Sequence, residues 1–519
     1  MRNIALFLML GVAKLCLSNN ITVSNVTFTG QDTVAHVIQV SFDLSWDNSW
    51  HTSTYESNYD AAWVFIKWQK PSVKIWNHAT LNTSGHTAPA GSAIDTPPDG
   101  KGVFIHRNAD GTGSNAWSGV ILSWNYGADG LADSTTVQAC VFALEMVYVP
   151  QAPFYLGDGT ASNIRGQFGA GTTQTPFLVT SEASLTLGGG GAGSLGNNNG
   201  SGMEPTGPDD FNNATSKSLP AAYPKGYQAF YVMKYETTQE AYVEFLNRLT
   251  YNQQVTRTQH PPSSAIGTHA LTNSGRNGIV IQTPGISNST PAVYGCDGNG
   301  NGTCNEINDG QTIACNWMHF ADCEAYLDWA ALRPITELEY EKACRGTLNP
   351  VADEYAWGTN TITGATGLVN SDATTEEYSN AGAYCVYNNA VGVPGPMRVG
   401  NFAQAGSNRQ SSGASYYGIL DLSGNVREMV ITVGNTTGRA FDGTPGDGVL
   451  AANGEANTAN WPTGFTADAS NAVGAGYKGY DWEQHANPSL LRVSDRDAAN
   501  YPYKWRDADY GFRGGRTAP

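Results

Sequence analysis

Between residues 38 and 46 the apolar residues Ile38, Val40, Phe42, Leu44 and Trp46 alternate with polar neighbours. Only an extended strand with one buried face sets i, i+2 and i+4 on the same side, so this stretch is committed to a sheet. The pattern returns in Trp63 and Phe65 against Lys67, and in Val137, Val141 and Ala143, with Asp-Gly, Pro-Pro and Asn-Tyr-Gly turns between. Several short strands separated by turns predict an immunoglobulin-like β-sandwich over residues 19–144.

Helical signals come only later, which makes the whole chain α+β. Thr237-Thr238-Gln239-Glu240 reads as a capping box opening a helix over Ala241–Leu249, with Tyr242, Phe245, Leu246 and Leu249 on one stripe. A second helix is expected over Phe320–Leu332. A third starts at Thr336, with Glu339 three residues on. The carboxylate pair Glu339 and Glu341 reads as the exposed face of that helix. The Gly-rich stretch Gly188–Gly202 and the polar run Ile286–Gln311 read as surface loops within one domain.

The charge narrows the partners. With 28 basic against 45 acidic residues, the net charge of −17 repels phosphate backbones, so nucleic acid is not expected as a partner. Residues 1–18 combine Arg2, an apolar run from Ile4 to Ala13 and small residues before a cut after Ser18, the layout of a secretory signal peptide. A secreted or cell-surface product is therefore expected, and no later apolar run is long enough for a transmembrane segment. Seven cysteines follow the cut. Pairing of Cys296 with Cys304 or Cys315 is the one disulfide the spacing suggests.

Five blocks occur in order: Met146-Val147-Tyr148-Val149-Pro150 through Phe154-Tyr155-Leu156-Gly157; Tyr231 to Gln239 (YVMKYETTQ); Leu332 to Glu341 (LRPITELEYE); Tyr417 to Glu428 (YGILDLSGNVRE); and Tyr510 to Arg516 (YGFRGGR). Together they resemble the sulfatase-modifying-factor family, whose best-known member is the formylglycine-generating enzyme. The resemblance implies a C-type-lectin-like domain, rich in irregular loops, over residues 145–519. It also implies a structural Ca²⁺ held by Asp421, the carbonyls of Gly424 and Val426, and Glu428, a set of hard oxygens that suits this ion. The family's oxidases hold copper on two active-site cysteines. When Arg492-Val493-Ser494-Asp495-Arg496 is aligned on the corresponding family stretch, those two positions fall on Glu483 and Pro488, and no cysteine follows Cys385. Relatives that use iron need a histidine trio, and the nine histidines here form no such cluster in the sequence. No copper is expected, and the scaffold is read as kept without its oxidase.

Two further constellations remain. Asp297-Gly298-Asn299-Gly300-Asn301-Gly302-Thr303 matches the first half of an EF-hand loop, but position twelve is Asn308. It reads equally as a second calcium loop through Asp297, Asn299, Asn301 and Thr303, or as an Asn/Gly turn pinned by Cys296. Near the C-terminus, Tyr480, Trp482, His485, Tyr501, Tyr503 and Trp505 sit among Asn and Asp, a composition suited either to a ligand face or to core filling. The expected function is a non-catalytic binding or adhesion protein for an extracellular protein or glycan. The alternatives are a self-assembling subunit of a surface layer or filament, in which the partners are copies of itself, and a formylglycine-generating-type or other oxidase.

Overall fold

The computed structural model describes residues 20–519 except 160–163, 198–202, 204–206, 371–372, 375–377, 380–381, 388–393, 463–471, 484–486 and 504. The expected signal peptide lies outside the described residues. Within them the chain is mostly β with a few short helices, none of which is long and apolar enough to cross a membrane.

The front of the chain forms eight strands: β1 (Thr22–Asp32), β2 (Val37–His51), β3 (Asp60–Gln69), β4 (Trp76–His78), β5 (Ser92–Asp95), β6 (Val103–Arg107), β7 (Gly111–Trp124) and β8 (Gln138–Val149). Strand β2 is built as its alternation requires, with Ile38, Val40, Phe42, Leu44 and Trp46 all buried. It is the centre of a three-stranded sheet, β1-β2-β7. That sheet shares one core with Ala62, Val64 and Ile66 of β3 and with Val141 and Ala143 of β8.

The opposite face of β3 is buried as well, against a different partner. Ala61, Trp63 and Phe65 belong to the main core with Tyr326 and Trp329 of a helix. Trp63 Nε1 donates to the Ala330 carbonyl at 2.8 Å, and Lys67 Nζ donates to the Trp329 and Gly448 carbonyls at 2.6 and 2.7 Å. A strand covered on both sides reads as a nearly continuous apolar run, which explains why Asp60–Gln69 alternates so weakly.

The border expected between residues 144 and 145 falls inside β8. That strand pairs antiparallel with β3 along Asp60↔Val147 to Gln69↔Gln138, and on its other edge with Phe230–Met233. The result is one eleven-stranded sheet. Its path runs from Ala475–Lys478 through Arg427–Ile431, Arg333–Thr336, Gly514–Thr517 and Phe230–Met233 into β8, β3, β6 and β5. Every block of the sequence pattern contributes to this sheet or to the turns at its edge.

The helices begin where their caps lie. Helix α1 (Gln239–Leu246) has Thr238 as N-cap, accepting from the Ala241 amide, and stops before the expected Leu249. Helix α2 (Tyr251–Arg257) was not expected, although Thr250 and Gln253 form a full capping box. Helix α3 (Phe320–Trp329) is capped by His319, and α4 (Glu337–Arg345) by Thr336 with Glu339 closing the box. The face of α4 is not solvated: Glu339 and Glu341 are buried. Glu339 takes both ends of the Arg333 guanidinium, while Glu341 accepts from the Gly157 amide and pairs with Arg345. No disulfide joins the cysteines expected to pair, since Cys140, Cys296, Cys304, Cys315, Cys323, Cys344 and Cys385 are all free.

His319 yields a pH prediction. Its Nδ1 accepts from the Asp322 amide at 3.1 Å, a bond that needs the neutral ring, and burial lowers its pKa from 6.5 to about 3. Between those values only the unfolded chain binds the proton, so stability is lost as pH falls from about 6.5 towards 3. Buried Asp328 and Asp495, raised by burial to about 6 and 7, act with the opposite sign. The comparison with His319→Asn therefore isolates the effect. Urea midpoints across this range should fall less steeply in the variant, by about 1.4 kcal/mol per pH unit.

Candidate functional site

The turn Tyr417–Glu428 carries the site that the sequence singles out. Asp421 and Asn425 take left-handed backbone (φ of 64° and 67°), as does Gly424 (φ of 100°). At Gly424 a Cβ would meet the Val386 carbonyl oxygen at 2.5 Å, so this close approach needs glycine. The turn then enters the strand Arg427–Ile431, which draws Glu428 into the interior.

Around this turn the structure gathers side chains from three blocks. Glu428 Oε1 accepts from Arg513 Nε at 2.7 Å. The same guanidinium donates to the carbonyls of Met233, Lys234 and Leu420 at 3.1, 3.2 and 2.7 Å. Glu236, two residues ahead of the α1 cap, accepts from Asn425 Nδ2 at 2.5 Å and from the Val426 amide at 3.1 Å. Asp421 Oδ2 accepts from the Gly400 amide at 2.6 Å. Glu236 and Arg513 were quoted as parts of sequence blocks but carried no site role there. Nothing in the spacing says that residues 236, 428 and 513 meet.

The electrostatics of this cluster are unbalanced. Glu236, Asp421 and Glu428 are buried, and burial pushes all three carboxyls upward; the charge of Asp421 adds to the effect on Glu236 and Glu428. One buried guanidinium, Arg513, faces them, with half-buried Arg398 acting on Asp421. Glu428 Oε2 is buried with no hydrogen-bond partner among the described residues. A buried carboxylate oxygen without a donor is costly unless a cation meets it. The donor set therefore fits a hard divalent ion beside the Arg513 pair.

The other expected sites are placed as follows. In the loop from Asp297 the side-chain oxygens are turned onto the loop itself. Asp297 accepts from the Gly302 amide at 3.1 Å, Asn299 from Asn301 at 2.9 Å, and Asn301 from Thr303 at 2.7 Å. Asn301 Nδ2 donates to Glu306, two residues short of the closing position Asn308, at 2.6 Å. Such contacts occur in Asn/Gly turns.

The five described residues of the expected aromatic face do not form one exposed surface. Tyr480 and Trp482 are buried: Tyr480 lies 4.1 Å from the Arg427 guanidinium, and Trp482 Nε1 donates to the Ala508 carbonyl. Each finds a partner for its polar or π surface in the interior, so both rings are core and not the expected ligand face. Tyr501 and Tyr503 are half-buried and stacked, and Trp505 is 57% exposed. His485 lies outside the described residues.

Of the two residues that the resemblance aligns with the copper cysteines, Glu483 is half-buried beside Asp481, and Pro488 opens a 3₁₀ turn, Pro488–Leu491. Cys385 packs with Tyr480, Leu490 and Leu491, close behind this turn, but burial pushes its thiol strongly up. It is held as a protonated thiol, whereas the thiolate is the metal-binding form.

A separate cavity of about 690 Å³ opens where β5 and β8 meet the C-terminus, lined by Asp95, Tyr148, Gln151, Gln228 and Pro519 among others. Its tyrosines are already stacked, Tyr59 lying between His106 at 4.4 Å and Tyr148 at 4.7 Å.

Residues 189–518, more than half of the chain, match the sulfatase-modifying factor enzyme 1-like domain family. The chain belongs to the sulfatase-modifying factor family. The matched span holds four of the five sequence blocks and the whole Glu236, Asp421, Glu428 and Arg513 cluster; the first block, in β8 and just beyond it, precedes the span. No curated protein matches the chain.

Proposed function

We propose that this sulfatase-modifying factor domain is non-catalytic and that the chain is a secreted or cell-surface binding or adhesion protein. One observation carries the reading. In the segment that would hold copper in the family's oxidases, Glu483 and Pro488 stand in place of the two thiolates, and neighbouring Cys385 is held protonated. Copper(I) selects soft sulfur ligands, and carboxylates do not replace them.

In this reading the front sheet and β3 form an immunoglobulin-like sandwich fused to a C-type-lectin-like domain. Ca²⁺ at Asp421, the Gly424 and Val426 carbonyls and Glu428 is structural. It neutralises the carboxylates that Arg513 leaves uncompensated and holds the turn rigid.

The ligand surface is assigned to the exposed Trp505 with its half-buried neighbours Tyr501 and Tyr503, and the ligand to an extracellular protein or glycan. Full-length protein on glycan and extracellular-protein arrays should bind a discrete set of ligands. Trp505→Ala should weaken that binding about tenfold or more, as removal of a central aromatic anchor does. Filaments or sheets in negative stain without any ligand, combined with no array binding, would instead favour a structural subunit.

A further inference from the structure

We propose that Glu483, Asp507 and Asp509 form a cation site for a hard divalent ion of Ca²⁺ size, separate from the one at Asp421. The site lies beside the strand Arg427–Ile431. Glu483 follows the strand Ala475–Lys478 on one side of it, and Asp507 and Asp509 lead into Tyr510–Gly511 on the other.

One carboxylate oxygen from each of the three residues lies within 4.8 Å of the other two. Acidic residues often gather without an ion, so the cluster alone decides nothing. The second observation is Asp509: it is 4% exposed, its Oδ2 pairs with Arg427 Nε at 2.9 Å, and its Oδ1 is buried with no hydrogen-bond partner among the described residues.

Arg427 cannot satisfy the group. It also donates to Asp481 Oδ2 at 2.7 Å and is packed on the ring of Tyr480, so Asp509 shares this one guanidinium with a second carboxylate. Glu483 and Asp507 are half-buried, so solvent and ions reach the site from their side.

The donor type sets the ion class. Three carboxylates offer only hard oxygens, the donors Ca²⁺ takes at about 2.3–2.6 Å in flexible geometry. Three carboxylates leave several of the 6–8 positions of Ca²⁺ to water. Oxygen ligands also exclude Cu(I), so an ion here lies beside the lost thiol position with the opposite ligand chemistry. The inference does not depend on the binding function proposed above.

The test uses the full chain. Tb³⁺, a luminescent stand-in for Ca²⁺, should be sensitised by Trp482 and Tyr510 and displaced by Ca²⁺. Equilibrium dialysis with Ca²⁺ should show one ion fewer in Glu483→Gln and in Asp507→Asn than in wild type, with Tb³⁺ emission reduced at least tenfold. Asp421→Asn should keep that emission. Crystals of the wild type grown with Tb³⁺ should show an anomalous peak between the three carboxylates, a readout that needs no variant to fold. Equal ion counts and emission in wild type and both variants, or no peak at saturating Tb³⁺, would overturn the proposal.

Discussion

Lys234→Met should destabilise the fold by about 3–5 kcal/mol, read as a shift of the urea midpoint at pH 7.5. Lys234 Nζ donates to Asp60 Oδ2 at 3.2 Å, Glu145 Oε2 at 3.0 Å and the Asn48 carbonyl at 3.2 Å, and all three side chains of this ion cluster are buried. Against burial, which disfavours the ammonium, Glu145 and Asp60 hold it charged. The cluster ties β3 and β8 to the strand Phe230–Met233, so its loss strikes where the front strands meet the family domain. The cost arises from leaving two carboxylates inside without a cation. They are not equivalent. Asp60 also accepts from Trp46 Nε1, Ser49 Oγ and the Trp50 amide, whereas Glu145 Oε1 has no hydrogen-bond partner among the described residues. Adding Glu145→Gln to the variant should therefore recover more than half of the loss. Burial raises the Glu145 carboxyl to about 7 even with Lys234 in place. With the ammonium gone, the folded state holds the extra proton up to higher pH, so the single variant should regain stability as pH falls through 7 towards 4.5.

Calcium withdrawal is the second large effect. If the ion sits at Asp421 and Glu428, 1,000-fold saturation over its Kd stabilises the folded state by about 4 kcal/mol. EDTA should lower the melting temperature of the wild type by several degrees. In Asp421→Asn the baseline should already be lower and the response to EDTA smaller. The reason is local: Arg513 satisfies one oxygen of Glu428 and leaves the other bare, while Glu236 and Asp421 add charge around it. Melting curves of wild type and variant that respond equally to EDTA would remove the Asp421 site. The Glu483 site would be untouched by that result, since its carboxylates are different ones.

What the sequence could show follows from how local each signal is. The alternation of Ile38 to Trp46 and the Thr336/Glu339 box depend on neighbours within a few residues, and both are realised as read. The Thr250/Gln253 box is equally local, but it opens a seven-residue helix with no apolar stripe to mark it. The partners of β8 are not local, because one edge pairs with residues 60–69 and the other with 230–233, so no composition change marks where the front strands end. Burial of charged residues is the hardest to foresee. Glu339 and Glu341 look like a solvated helix face until Arg333, Arg345 and the Gly157 amide are seen beside them. Tyr480 and Trp482 look like a recognition surface until Arg427 and the Ala508 carbonyl supply interior partners. The order of the five blocks was legible. The meeting of Glu236, Asp421, Glu428 and Arg513 became so only in three dimensions.

The central claim is that the family scaffold persists here without its thiol-bound copper chemistry. Its most direct test is oxygen-dependent conversion of a cysteine-bearing sulfatase peptide by the purified chain reconstituted with copper, followed by the mass of the peptide. The account predicts an unchanged peptide mass, with and without copper. Turnover comparable to that of a formylglycine-generating enzyme would contradict it.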